Sequence, residues 1–121
     1  MSVKTVLLVD DSRVARMMTR KVIHVHRPDW SVVEAATGEE ALAALEQAMP
    51  DFVILDVNMP GMGGIETARR MRALAPTLPI TLLTANIQDP VRHQAEGLHV
   101  GFLSKPLHDD QLLEFLAAEA P

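Results

Sequence analysis

The sequence predicts an α/β fold: a doubly wound, five-stranded parallel sheet of strand order 2-1-3-4-5 with five helices. Three observations predict it. Short apolar runs recur at Thr5–Val9, Ser31–Ala35, Phe52–Val57, Ile80–Thr84 and Val100–Ser104, with helically spaced stretches between them. All of these runs but Ser31–Ala35 are near-continuously apolar, as strands buried on both faces are. A chain of 121 residues is one domain's worth of protein, with room for a single core. Strand-then-helix units in series imply parallel pairing with helices on both faces. Right-handed crossovers leave few topologies, and 2-1-3-4-5 is the favoured one at this size.

The elements follow in order. The first strand, Thr5–Val9, stops at Asp10. The first helix carries Val14, Met17, Met18, Val22 and Val25 at helical spacing. Met17, Met18, Met49 and Met71 are expected to be mostly core filler. After Ser31–Ala35, the segment Thr37-Gly38-Glu39-Glu40 reads as a capping box, with Thr37 at the cap and Glu40 reaching back. The second helix then carries Ala41, Leu42, Leu45 and Ala48. Gly61, Gly63 and Gly64 let the loop turn beside Asp56; no Lys-Ser/Thr follows them, so a nucleotide P-loop is not supported. The third helix runs through Ile65, Ala68 and Met71 and ends before Pro76, with Arg69, Arg70 and Arg72 on a solvated face. Pro50, Pro76 and Pro79 punctuate the helix-to-strand loops. The fourth helix is short, from Asp89 to about Glu96, with Asp89 as cap and Pro90 at the first helical position. The fifth carries Leu112, Leu113, Phe115, Leu116 and Ala117.

Composition excludes several functions. Apolar residues make up 48%, which argues against disorder. With no cysteine there is no disulfide, zinc-thiolate site or thiol catalysis. A net charge of −5, from 16 acids and 11 bases, argues against direct nucleic-acid binding. Aromatics at 3% offer no base-stacking platform. The apolar stretch Val6–Val9 is too short for a signal peptide or a membrane span, so a cytoplasmic protein is expected. His24 and His26 fall near the end of the first helix, where a partly charged imidazole suits the dipole, and His93, His99 and His108 are scattered. The histidines are therefore read as surface or capping residues.

In a doubly wound sheet the ligand crevice lies beyond the carboxyl ends of the strands, where the winding reverses. Asp10 and Asp11 come after the first strand, Asp56 after the third, Thr84 ends the fourth and Lys105 ends the fifth. Three carboxylates thus converge. Two unit charges about 4 Å apart repel by roughly 4 kcal/mol at an effective dielectric of 20, so such a cluster takes up a proton or binds a cation. Oxygen ligands without His or Cys suit a hard cation, and too few are present for a calcium cage. A half-open Mg2+ site with room for a phosphate oxygen is expected. Lys105 and Thr84 add a cation and a hydroxyl at the same rim, which is the equipment of phosphoryl transfer. Asp56 is the best-placed acceptor, because Asp10 and Asp11 suit metal ligation.

The segments Val6-Leu7-Leu8-Val9-Asp10-Asp11-Ser12, Asp56-Val57-Asn58-Met59-Pro60-Gly61-Met62-Gly63-Gly64, Thr84-Ala85 and Lys105-Pro106 resemble the receiver domain of two-component response regulators, end to end. The resemblance implies a flavodoxin-like single domain over 1–121 with no output domain in this chain. It implies that Asp56 takes a phosphoryl group from a phosphohistidine on a sensor histidine kinase or phosphotransfer protein. Asp11, Asp56 and the Asn58 carbonyl would hold Mg2+, with Asp10 acting directly or through water. Thr84 and Lys105 would contact the phosphoryl oxygens, Ala85 would leave access, and Phe102 would be the aromatic switch. Lys105-Pro106 would be a cis peptide. Ala15, Met18, Pro106 and Leu107 would form the patch where the kinase docks. Output would pass to a downstream effector protein from a monomer or weak dimer.

The chain departs from many such domains in carrying Phe102 where tyrosine is common, so the hydroxyl of the switch is missing. The resemblance implies no enzyme activity beyond self-phosphorylation and self-dephosphorylation. Two alternatives differ in class. A metal-dependent phosphatase similar to the haloacid dehalogenase family wants a second acid two residues past the nucleophile, where this chain has Asn58. A binding module that lost phosphorylation finds no support, because the whole set of rim residues is present.

Overall fold

Successive residues of a strand point to opposite faces, so a strand apolar on both faces needs a helix layer on each side. The computed structural model, which describes residues 3–85, 89–105 and 109–119, supplies both layers. Its elements are β1 (Thr5–Val9), α1 (Arg13–His26), β2 (Ser31–Ala35), α2 (Gly38–Gln47), β3 (Phe52–Asp56), α3 (Gly63–Leu74), β4 (Ile80–Thr84), α4 (Asp89–Gln94), β5 (Gly101–Ser104) and α5 (Asp109–Glu119). The strands form one parallel sheet in the order β2-β1-β3-β4-β5, the topology predicted. No helix of the described residues is long and apolar enough to cross a membrane.

The core divides by strand parity. Leu7, Val9, Val53, Leu55, Ile80 and Leu82 pack with Ala41 and Leu45 of α2 and with Ala68 and Met71 of α3. Val6, Leu8, Phe52, Ile54 and Leu83 pack with Ile23 of α1 and with Leu112 and Leu116 of α5. Each of the Val, Leu, Ile, Phe and Met side chains among these, fully buried, contributes roughly 1.5–3 kcal/mol of transfer free energy. The expectation that the fifth strand is covered on both faces is not met. β5 is the edge of the sheet, and its residues are exposed or half-buried.

The expected core stripe of α1 is also corrected. Ile23 is buried and Val22, half-buried, packs against the core as expected, whereas Val14, Met17, Met18 and Val25 are 64%, 59%, 66% and 66% exposed. At 100° per residue these four project to the side opposite Ile23, so the apolar residues of α1 occupy two faces and the sheet takes only one. Met49 is likewise exposed, and of the four methionines read as core filler only Met71 is buried.

The Thr37 cap is present, its Oγ1 accepting from Glu40 N at 3.1 Å. Glu40 reaches back one residue further than a capping box requires, accepting from Ala36 N. The side chains of Asp89 and Pro90 lie outside the described residues. Arg69 and Arg70 pair with Glu66 on an exposed face, as expected. Arg72 departs from that expectation. Its guanidinium donates to the carbonyls of Ala75, Pro76, Leu78, Leu98 and His99 at 2.7–3.2 Å, tying the end of α3 to the segment before β5. His99 itself has a left-handed φ of 56°.

Candidate functional site

Parallel register builds the site. Val9 is paired with Leu55, so Asp10 and Asp56 lie side by side at the ends of neighbouring strands. Thr84 is paired with Ser104, so Lys105 leaves β5 at the same rim. Asp10, Asp56 and Thr84 are almost fully buried. Both buried aspartates are oriented in the same way. Asp10 Oδ1 accepts from Ser12 N at 2.9 Å, and Asp56 Oδ1 accepts from Asn58 N at 3.2 Å. Each is a side-chain turn onto the amide two residues on, which aims the carboxylate across the rim. Sequence reasoning missed this role of Ser12. Its signal is an aspartate at a strand end with a turn-compatible residue two positions later. Ser12 also caps α1, its Oγ accepting from Ala15 N at 3.2 Å.

The three predicted acids meet. Asp10, Asp11 and Asp56 each bring a carboxylate oxygen to a place where all lie within 4.8 Å of one another, and this is the only such cluster of acids, histidines or cysteines among the described residues. Asp11 is exposed while the other two are buried, so the group opens to solvent on one side. Lys105 Nζ lies 2.9 Å from Asp56 Oδ1 and 3.8 Å from Asp10 Oδ2. Burial, helped by the negative charges of Asp56 and Asp11, holds the Asp10 carboxyl above its ordinary value, although the Ser12 amide and Lys105 pull the other way. An oxygen-only donor set with one open side fits a hard divalent cation that keeps water ligands.

The predicted partners of this cluster are placed unequally. The Thr84 carbonyl accepts from Lys105 N at 2.9 Å, which fastens β4 to β5 directly below the rim. Ala85 is exposed beside it. Phe102 is half-buried, and the guanidinium carbon of Arg92 from α4 lies 5.3 Å from its ring centroid. That partner had no sequence signal, because the packing of α4 selects it. Asn58 is exposed in the loop after β3. Gly61 and Gly63 both have φ 77°, and a Cβ on Gly64 would collide with the backbone of Asp56 and Val57. The expectation that these glycines serve the loop beside Asp56 therefore holds. Ala15 is half-buried and Met18 exposed on α1; Pro106 and Leu107, with the Lys105-Pro106 peptide geometry, lie outside the described residues.

A family model described as "Response regulator receiver domain" matches residues 6–117. The chain is 34% identical over 117 residues to the probable transcriptional regulatory protein TcrX of Mycobacterium tuberculosis, covering 94% of this chain and 48% of that protein. It is 37% identical over 116 residues to the response regulator MprA of Mycolicibacterium vanbaalenii, covering 93% and 48%. The chain thus spans about half the length of these curated relatives. Among solved structures, chemotaxis protein CheY4 of Vibrio cholerae superposes with a TM-score of 0.90 at 32% identity, covering 98% of this chain and 100% of that one. By the extent of the family match, by these relatives and by the shared sheet topology, the chain belongs to the response regulator receiver domains of two-component systems.

Proposed function

We propose that this receiver domain is a phosphorylation switch whose acceptor is Asp56 and whose donor is a phosphohistidine on a sensor histidine kinase or histidine phosphotransfer protein. A carboxylate oxygen of Asp56 attacks phosphorus. The P–N bond to the donor imidazole breaks, its electron pair stays on the ring nitrogen, and an acyl phosphate is left on Asp56. Asp10, Asp11, Asp56 and the Asn58 carbonyl would hold Mg2+, which when bound neutralises charge on the phosphoryl oxygens. Lys105 and the Thr84 hydroxyl take further phosphoryl oxygens, and the small Ala85 leaves them access. The observation that carries this reading is the meeting of three carboxylate oxygens within 4.8 Å, with Lys105 Nζ 2.9 Å from one of those groups.

Phosphorylation shifts a population between two states. Thr84 moves toward the phosphoryl group, Phe102 follows, and the surface of α4, β5 and α5 changes for a downstream effector protein. The donor docks over Ala15 and Met18 of α1 and Leu107. Chemistry is confined to the chain's own Asp56, and the protein acts in the cytoplasm. Incubation with Mg2+ and acetyl phosphate, followed by intact mass measurement, tests the reading. The protein gains one phosphoryl group, the Asp56→Asn variant gains none, and chelator abolishes the gain. Labelling that persists in Asp56→Asn puts the acceptor elsewhere and overturns it.

A further inference from the structure

Asp11 supplies the one exposed carboxylate of the acidic cluster, and among the described residues no hydrogen-bond donor holds it. Its direction is set by the peptide that precedes it. That peptide carries the Asp10 carbonyl, and Arg16 Nη1 donates to this oxygen at 2.6 Å. The same guanidinium donates through Nε to Glu34 Oε1 at 2.9 Å, and Arg20 Nη1 donates to Glu34 Oε2 at 2.6 Å. The Arg16 side chain is only 14% exposed, against 46% for Arg20. On its other side, Asp10 N donates to the carbonyl of Ala35, the residue after Glu34. Both polar backbone groups of Asp10 are thus anchored to the end of β2, one directly and one through Arg16.

We infer that Arg16 is a positioning residue for the cation site, its fork fixing the Asp10–Asp11 peptide against Glu34 so that the Asp11 carboxylate is already turned toward Asp56. The inference rests on the reading of the acidic cluster as a Mg2+ site. A planar guanidinium can bridge a carbonyl and a carboxylate at fixed angles, whereas an ammonium on a flexible stem cannot. Groups that orient metal ligands without touching the metal typically matter by 10–100-fold in affinity.

Charge alone makes the opposite forecast. Arg16 is a cation close to a cation site, so removing it without disturbing geometry strengthens Mg2+ binding by relieving repulsion. Positioning and through-space charge therefore differ in sign. The test is calorimetric titration of Mg2+ into the metal-free protein and its variants, with folding checked by urea denaturation in chelator. Arg16→Met is expected to weaken binding about tenfold. Arg16→Lys, which keeps the charge and loses the fork, is expected to weaken it nearly as much. Arg20→Met, which touches Glu34 but not Asp10, is expected to leave it near the wild-type value. Should Arg16→Met not fold, Arg16→Lys decides alone. Wild-type or tighter binding by a folded Arg16 variant overturns the inference. A wild-type protein that takes up no Mg2+ overturns the metal reading, and the inference with it.

Discussion

Lys105 Nζ donates to Asp56 Oδ1 at 2.9 Å, although β4 lies between the strands these residues follow and end. The lysine therefore reaches along the rim from the edge of the sheet to its centre. It is the countercharge nearest the carboxylates and stands three residues beyond Phe102. A new negative group on Asp56 is thus connected to β5 by a single side chain.

Removal of that side chain should separate chemistry from response. Lys105→Ala is expected still to gain a phosphoryl group from acetyl phosphate. In the wild type, amide hydrogen exchange across 98–104 is expected to change on phosphorylation, and in the variant it is expected to stay constant. An equal change in both proteins removes Lys105 from the relay.

The acidic cluster makes stability depend on pH. The Asp10 carboxyl is raised above its ordinary value of 3.8, first by burial. The folded state therefore binds this proton more tightly than the unfolded chain does. The contribution of Asp10 to stability falls as the pH rises above 3.8 through its folded value. Asp10→Asn removes that loss. Without metal, the variant is expected to unfold at a higher urea concentration than the wild type at pH 7, with the difference vanishing in acid. An unchanged urea midpoint at neutral pH contradicts the assignment.

The arginines of α3 should behave differently. Arg72→Met takes away a donor shared by five backbone carbonyls, of which that of Ala75 still accepts from Leu78 N. It is expected to cost roughly 1–3 kcal/mol in urea unfolding. Arg70→Ala removes only an exposed pair with Glu66 and is expected to leave the midpoint where it is.

Met18, 66% exposed, should matter to the donor and not to the fold. Met18→Ser is expected to leave urea unfolding and acetyl phosphate labelling unchanged while slowing phosphotransfer from the cognate kinase several-fold. Equal slowing with both donors places its effect inside the domain.

Much of this architecture is legible in the residues. Val6 through Val9 reads as a strand buried on both faces, and its members divide alternately between the two core clusters. The acids and the lysine stand immediately at strand ends, so predicting the sheet order was enough to bring them together. Asn58 was legible as a neighbour of Asp56, but the turn by which its amide holds that carboxylate is a matter of loop geometry. Val14, Met17, Met18 and Val25 have helical spacing, yet spacing identifies a helix without saying which of two apolar faces meets the sheet.

Local periodicity and right-handed crossovers settled the element order, the strand order and the rim that carries the acids. Both are properties of the backbone expressed over a few residues at a time. Packing settled the rest: Arg16 with Glu34, Arg72 with the carbonyls before β5, Arg92 over Phe102. The first two link residues 18 to 27 positions apart. Arginine on an isolated helix turn is equally compatible with water. It acquires a structural partner only when the register of the sheet presents a carboxylate or a bare carbonyl within its reach.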